Sequence, residues 1–479
     1  MIEQKGLAVF NKAVAETITR AVCTISGKDY TLPIKSVTVE GAAFKVNIYL
    51  DDTLSGTVTN TKLYDKDGNL LIQRQDVVPK KNIILPCLGL GISTFVHCYS
   101  GCAVDRGDEV RIFYTSIGKD ERGPQTGAQQ WSARCTEEDL QKWEKCGKPA
   151  LNQKINGKLT ITMWRDPFVW KEDETWYMLL SGTHKKKGCI ALYQSNDLES
   201  WKFCSLFYQS EKYELIECPN IMRFGDKYVL LYSPMEAVHY VIGSIDRKNM
   251  KFITEKEGIF DYSVGKKGFY APNVYMNDPL RRYVVFGCLF EGDRLESKRP
   301  RGWAGMQSIP RVVFLQENEL LIQPAHECYM LRKECLGAYA KQEKMDVKGQ
   351  QIEIELSYRP SEKSVLQIVL QASPDGEERT VLTLDYGKND LFLDRSHSTV
   401  YSDITKEDIH APIVYEERSV QLRIFVDHSS IEIFYDDRLT MSARIFPGRE
   451  DSVENSVKVS DDVSVLVGRI YRLACETEI

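Results

Sequence analysis

Nowhere does the sequence offer a run of about 18 apolar residues, the length a membrane-spanning helix needs. Its opening, MIEQKGLAVFNKAVAETITRAV, lacks a basic segment followed by a purely apolar one, so no export leader is expected either. No long block of one charge sign occurs, and 62 Lys and Arg stand against 68 Asp and Glu for a net charge of −6. That balance disfavours nucleic acid or an anionic membrane surface as the main partner and suits a small neutral ligand. The 13 cysteines, scattered from Cys23 to Cys475, lack the close pairing of zinc sites or of a disulfide framework. They read as reduced thiols of a cytoplasmic protein, with Cys98 and Cys102 as small core side chains and not a metal or redox pair. No Walker, Rossmann or zinc-binding string is present, and the lone GLG at 89–91 is too short a pattern to suggest a nucleotide. No cofactor and no metal is expected. A homo-oligomer is compatible with the sequence.

Helix signals are equally scarce. Only residues 7–22, with Leu7, Phe10, Val14, Ile18 and Ala21 spaced by three and four, predict a short amphipathic helix, placed in an N-terminal extension over 1–27. What fills the chain is β-structure: DEVRIFYTSI, TWYMLLSG, DKYVLLYSP, RRYVVFGCL and RVVFLQENELLIQPA are short β-branched and aromatic runs broken by turn residues. At 479 residues the chain exceeds what one core usually organises, so more than one domain is expected.

Three segments share a layout: RDPFVWKEDETWYMLLSG, ECPNIMRFGDKYVLLYSP and YAPNVYMNDPLRRYVVFG. In each, a polar triplet opens a strand, a charged turn follows, and a second strand carries Tyr or Trp. A diverged repeat of this kind suits propeller blades, whose innermost strands face a central channel. Counting YSGCAVDRGDEVRIFYTSI as another unit gives four blades, and an irregular stretch before it supplies a fifth. The predicted fold is therefore all-β: a five-bladed β-propeller over 28–325, with a remodelled first blade at 28–94. A linker with a short helix over 326–344 follows. From 345 to 479, runs such as QQIEIELSYR, SVLQIVLQAS and RTVLTLDYG, with a turn every eight to twelve residues, predict a C-terminal β-sandwich.

Taken alone, Arg165-Asp166-Pro167 is a turn with a capping carboxylate. Read together, the blade heads would point Asp166, Glu217 and Tyr270 into one channel mouth. Carboxylates meeting in a concave aromatic pocket are what glycoside cleavage needs: one acid protonates the leaving oxygen while a second charge supports an oxocarbenium-like state.

These segments carry a resemblance. WRDPFVW, ECPN, FYAPNVY, RGWAGMQSIPR and YSGCAV resemble the blade motifs of glycoside hydrolase family 32, the invertases, fructanases and sucrose-6-phosphate hydrolases. LRIFVDHSSIEIFYDDRLTMSARIFP resembles the signature of that family's C-terminal sandwich. The likeness is collinear over roughly residues 95–479. It implies a five-bladed propeller with an appended sandwich and retaining hydrolysis of β-fructofuranosides. On matching positions it implies Asp166 as transition-state stabiliser, Glu217 as general acid/base, and Arg165 orienting both carboxylates and bonding the sugar. Tyr99 and Ser100 would line the pocket, and Trp303 would close its edge. As an acid near neutral pH, Glu217 is expected to have its pKa raised by burial and by Asp166. Cys218 beside it reads as packing, since no histidine lies near to serve as its base.

The chain departs from that pattern at its first blade. The family's Trp-Met-Asn-Asp-Pro-Asn-Gly type motif, which carries the nucleophile, does not occur before Tyr99. The one Asn-Asp-Pro, in MNDPLRR, reads as a hairpin tip with Asn277 and Asp278. Taking KSVTVE and AAFKVNIYL as the first strands places Asp29 near a strand head as a substitute nucleophile, with Asp51 and Asp52 as weaker candidates. Alternatively the nucleophile is lost. Gly268 stands where the family usually has an acidic residue. The basic loops THKKKG and ESKRPRG would favour a phosphorylated sugar if they faced the pocket. The expectation is thus a glycosidase on sucrose, sucrose-6-phosphate or fructo-oligosaccharides, against a sugar-binding pseudo-enzyme or a fructosyltransferase of the same fold. A propeller serving as a protein-interaction platform would leave the polar strand heads unexplained.

Overall fold

The computed structural model describes residues 17–25, 27–32, 34–40, 43–48, 56–80, 95–118, 127–137, 139–264, 268–291, 305–338 and 345–474. The chain forms two compact units, Met1–Ser93 and Thr94–Ile479. Among the described residues no helix is long and apolar enough to cross a membrane.

In the N-terminal unit, four antiparallel strands lie in the order Lys28–Leu32, Arg20–Ile25, Gly56–Tyr64, Leu70–Lys80. A separate hairpin pairs Ile34–Glu40 with Ala43–Ile48. The predicted helix over 7–22 is corrected here. Its residues up to 16 lie outside the described part, and from Arg20 the backbone is a strand. Ala21, Cys23 and Ile25 are all buried, an alternation of period two that overrides the three-and-four spacing of Ile18 and Ala21. The sheet accordingly starts at Arg20, inside the stretch expected to be a helical extension.

The Thr94–Ile479 unit opens with four antiparallel sheets, each a meander in chain order. Their first strands are Phe95–Asp105, Thr162–Glu172, Glu217–Phe224 and Phe269–Tyr275. Each of these strands touches the next, and Asn273 Nδ2 on the fourth donates to the Gly101 carbonyl on the first at 3.0 Å. We call them the inner strands of the first to fourth sheets. Residues 164–170 of the second are buried without interruption, as expected of a strand covered on both faces. Trp164, Met178, Leu180, Leu230 and Phe269 fill one continuous core between the sheets.

Two six-stranded sheets follow. Alternate residues Ile352, Ile354, Leu356 and Tyr358 of one face Leu366, Ile368 and Leu370 of the other in a second core, as sandwich packing requires. Residues 326–344 do more than link: His326–Leu331 is a 3-10 turn, and Arg332–Ala338 pairs with Ser464–Leu473 as an edge strand of the sandwich. Where the four sheets meet the sandwich, the fully buried Arg311 donates to Asp261 at 2.7 Å and to Glu432 at 2.8 Å, with Ser442 Oγ at 2.7 Å. Such charges are tolerated in a core only because each has a partner of opposite sign.

Candidate functional site

One irregularity recurs at the head of every inner strand. Cys98 pairs with Ser116 and Gly101 with Tyr114; Arg165 with Ser181 and Phe168 with Leu179. Glu217 pairs with Ser233 and Asn220 with Leu231; Tyr270 with Cys288 and Asn273 with Phe286. Three steps on the inner strand oppose two on its neighbour, which defines a β-bulge. In three of the four, the residue after the first paired one is left-handed: Asp166 at φ 62°, Cys218 at 49° and Ala271 at 48°. Proline follows each time; lacking an N–H, it suits the gap in the ladder. A left-handed non-glycine residue costs roughly 1–2 kcal/mol, sustained here by the paired ladder on either side. This is why a charged pair and a proline begin a strand that is otherwise core. The bulges bring Arg165, Asp166, Glu217 and Tyr270 into one cluster before regular alternation resumes.

Arg165, Glu217 and Tyr270 hold the same position in three successive bulges, and they bond to one another. Arg165 Nη2 donates to Glu217 Oε1, and Tyr270 Oη donates to Glu217 Oε2 at 2.6 Å. Arg165 Nε also lies 3.8 Å from Asp166 Oδ2. Asp166 is gripped from several sides: Oδ2 accepts from the Cys218 backbone N–H at 3.0 Å and the Ser181 hydroxyl at 3.4 Å. Its own N–H donates to Thr115 Oγ1 at 3.0 Å. Arg165, Asp166, Glu217 and Tyr270 are all buried. Tyr99, 40% exposed, lies beneath the Arg165 guanidinium at 5.8 Å, and the Ser100 side chain hydrogen-bonds to Cys218. The first sheet thus forms the open side of the mouth.

Burial is the largest influence on Asp166 and raises its pKa against the lowering effect of the Cys218 N–H and of Arg165. Burial, then the Glu217 charge, raises the Tyr270 phenol as well, so it remains a donor. Burial and the two carboxylates hold the Cys218 thiol well above its ordinary value, which keeps it a neutral neighbour and not a nucleophile. The thiol of Cys102, pushed up to about 12 by burial, accepts from the Val169 N–H at 3.2 Å and is structural.

Asp29 belongs to the N-terminal unit. It lies within the Lys28–Leu32 strand, opposite Thr24, and does not head the Ile34–Glu40 strand as the sequence suggested. Its exposed carboxylate accepts from Thr24 Oγ1 at 2.5 Å and Lys62 Nζ at 3.2 Å, which lower its pKa in that order. Trp303, Asp51, Asp52 and the ESKRPRG loop lie outside the described residues. Asp278 sits in the turn after Tyr275, accepting from Leu280 N–H at 3.0 Å and Arg282 Nε at 2.9 Å, as a turn-capping aspartate does. A cavity of about 1360 Å³ opens at the opposite ends of the inner strands, lined by Val104, Trp170, Phe224, Tyr275 and Phe314. It shares no residue with the carboxylate cluster. Sequence reasoning missed Thr115 and Ser181 as supports of Asp166; Ser181 had a signal, since it lies in the Thr175–His184 strand that pairs with the inner strand, directly opposite Arg165.

Comparison with known proteins identifies the family. The model of the glycosyl hydrolases family 32 N-terminal domain matches residues 93–324, and that of the family 32 C terminal matches 331–469. The chain belongs to glycosyl hydrolase family 32. Membership makes it a glycosidase of the β-fructosidase type. It is 28% identical to the sucrose-6-phosphate hydrolase of Escherichia coli, over 78% of this chain and 80% of that one. It is 24% identical to an Escherichia coli raffinose invertase over the same shares, 78% and 80%. In fold it is similar to exo-inulinase from Aspergillus awamori, with 20% identity, a TM-score of 0.68, and 95% and 96% of the two chains covered. The family 32 model of the N-terminal domain starts at residue 93, so the four meander sheets with their bulged heads fall within the family region.

Proposed function

We propose that this family 32 chain hydrolyses small β-fructofuranosides, with Glu217 as general acid/base and Asp166 as stabiliser of the fructosyl transition state. One observation carries the reading: Arg165 bridges two buried carboxylates presented by adjacent bulged strands. In this scheme Glu217 passes its proton to the glycosidic oxygen as the C–O bond breaks, and the leaving sugar departs as an alcohol. Asp166, ionised and fixed by the Cys218 N–H, faces the positive charge that develops on the fructosyl ring. Water then completes hydrolysis and returns a proton to Glu217. Arg165 keeps the two carboxylates apart in role by pairing with both, which its planar fork of donors allows. The relatives named for sucrose-6-phosphate and raffinose support a small soluble substrate, and a cytoplasmic setting accords with buried thiols at Cys102, Cys189 and Cys328. A five-bladed propeller with an appended sandwich is the architecture we propose, in keeping with the four meander sheets of the family region. The strands of the N-terminal sheet follow a different order.

The test is incubation with sucrose, sucrose-6-phosphate, and inulin- and levan-type oligosaccharides, following free fructose and transfer products. Turnover lost in Glu217→Gln supports the assignment. Sugar binding without turnover in either protein supports the pseudo-enzyme, a reading favoured by the exposure of Asp29 and its engagement by Thr24 and Lys62. Unchanged rates in Asp29→Asn would remove Asp29 as nucleophile, and fructosylated acceptors would mark a transferase.

A further inference from the structure

The acid of the proposed reaction is tied to the sandwich through a short, buried chain of contacts. Arg444 ends the Leu439–Arg444 strand, and its side chain is 1% exposed. Its Nη1 donates to the Leu289 carbonyl at 2.8 Å, and Nη2 reaches Glu291 Oε1 at 3.3 Å. Ser429 takes two more of its donors, the carbonyl from Nε and the hydroxyl from Nη2, both at 3.0 Å. The guanidinium therefore holds the residues on either side of Phe290. Phe290 is fixed again by its N–H, which donates to the Gly268 carbonyl at 3.0 Å. Its ring meets Tyr270 edge-on, with centroids 5.8 Å apart. Tyr270 in turn donates to Glu217. The sandwich also approaches from the other side: a Cβ on Gly268 would lie 3.0 Å from Ser263 Cβ and 3.1 Å from the Ser442 carbonyl oxygen, so a side chain there would need its neighbours to shift by a few tenths of an ångström.

We propose that Arg444 is a positioning residue for Glu217, acting through Phe290 to aim the Tyr270 hydroxyl at the carboxylate. The proposal rests on the reading of Glu217 as acid/base. The fork is suited to the task because it binds a carbonyl and a carboxylate on both flanks of one residue, which an ammonium on a flexible stem does not. A hydrogen bond donated to a carboxylate favours the ionised form. Loosening Tyr270 therefore raises the proton affinity of Glu217. Arg165, Asp166 and Cys218 also face Glu217, and the Arg444 contacts above reach it by way of Phe290 and Tyr270.

The experiment uses the full chain with Arg444→Lys and, at the middle of the path, Phe290→Leu. The first readout is the pH profile of kcat/KM with the split between kcat and KM. The second is independent of turnover: carboxyl carbon NMR of labelled glutamate, with Glu217 assigned by its loss in Glu217→Gln. We expect the basic limb of the profile and the Glu217 titration midpoint to move upward together by about half a pH unit. kcat should fall about tenfold with KM within about twofold, as for an interaction made in the transition state. A shifted midpoint in a protein that never turns over a fructoside would sink the hydrolase reading and leave the positioning role standing. Turnover with unmoved profile and midpoint in both variants overturns the positioning role.

Discussion

Asp166 and Cys218 occupy equivalent left-handed positions of neighbouring bulges, and the backbone N–H of Cys218 donates to Asp166 Oδ2 at 3.0 Å. One bulge thus supplies the donor that steadies the carboxylate presented by the other. The site is assembled from the irregularity itself, and the side chains follow.

Asp166 carries a stability cost. Its folded pKa is raised, chiefly by burial, so ionisation opposes folding. That cost sets in as pH rises through the unfolded value near ~4 and is complete above the folded one. Asp166→Asn should therefore unfold at a higher temperature than the parent at pH 7, by the equivalent of about 1 kcal/mol. The gap should close in melts recorded below about pH 4. The same variant should lose fructose release.

Glu217→Gln keeps an acceptor oxygen for Arg165, turns its amide N–H toward the Tyr270 hydroxyl, which can accept it, and removes the proton donor. Turnover should fall by roughly 10²–10⁴-fold, the range of general acid–base catalysis. Fructose binding measured by calorimetry should stay within about threefold of the parent, since the hydrogen-bonding shape of the site survives.

Arg311→Met would leave Asp261 and Glu432 buried beside each other without their cation. Removing one partner of a buried ion pair costs about 3–5 kcal/mol. Urea unfolding should show the midpoint fall by that free energy divided by the m-value, with the loss carried by the transition in which the sandwich separates from the sheets.

His239 stacks on Tyr232 with rings 9° from parallel, and burial, followed by the Lys212 charge, lowers its pKa to about 4. Its folded value lies below the unfolded one, so its contribution is present above pH ~6.5 and is lost as pH falls toward the folded value. Between these limits the parent should lose thermal stability more steeply than His239→Gln. Equal slopes for the two proteins would remove His239 from the acid response.

Much of this was written in the chain. The repeated polar head with proline identified the second, third and fourth inner strands, because only a bulge accommodates Asp166-Pro167, Cys218-Pro219 and Ala271-Pro272 at the start of core strands. Alternating apolar positions such as Ile352, Ile354 and Leu356 announced the sandwich. Other features depended on contacts that no local pattern encodes. Tyr270 could be named as a lining residue, but its bond to Glu217 joins two sheets. Ile18 and Ala21 satisfy helical spacing, and pairing with the Lys28–Leu32 and Gly56–Tyr64 strands on its two sides makes Arg20–Ile25 extended. Local pattern places Asp29 before the hairpin of Ile34–Glu40 and Ala43–Ile48, but its pairing opposite Thr24 sets it inside a strand of another sheet. Arg444 lies in a stretch whose resemblance to the sandwich signature says nothing of Leu289 or Glu291.

The repeated bulge has a consequence for altering this enzyme. Because the extra residue alone sets the direction in which the backbone offers its side chains, the positions it exposes behave as sockets that accept different reagents. Arginine and aspartate fill one pair, glutamate and cysteine the next, tyrosine and alanine the last. Ala271 is partly buried against the core of the sheets, so at the last socket the backbone takes the same turn around a small apolar side chain, and the chemistry is left to Tyr270.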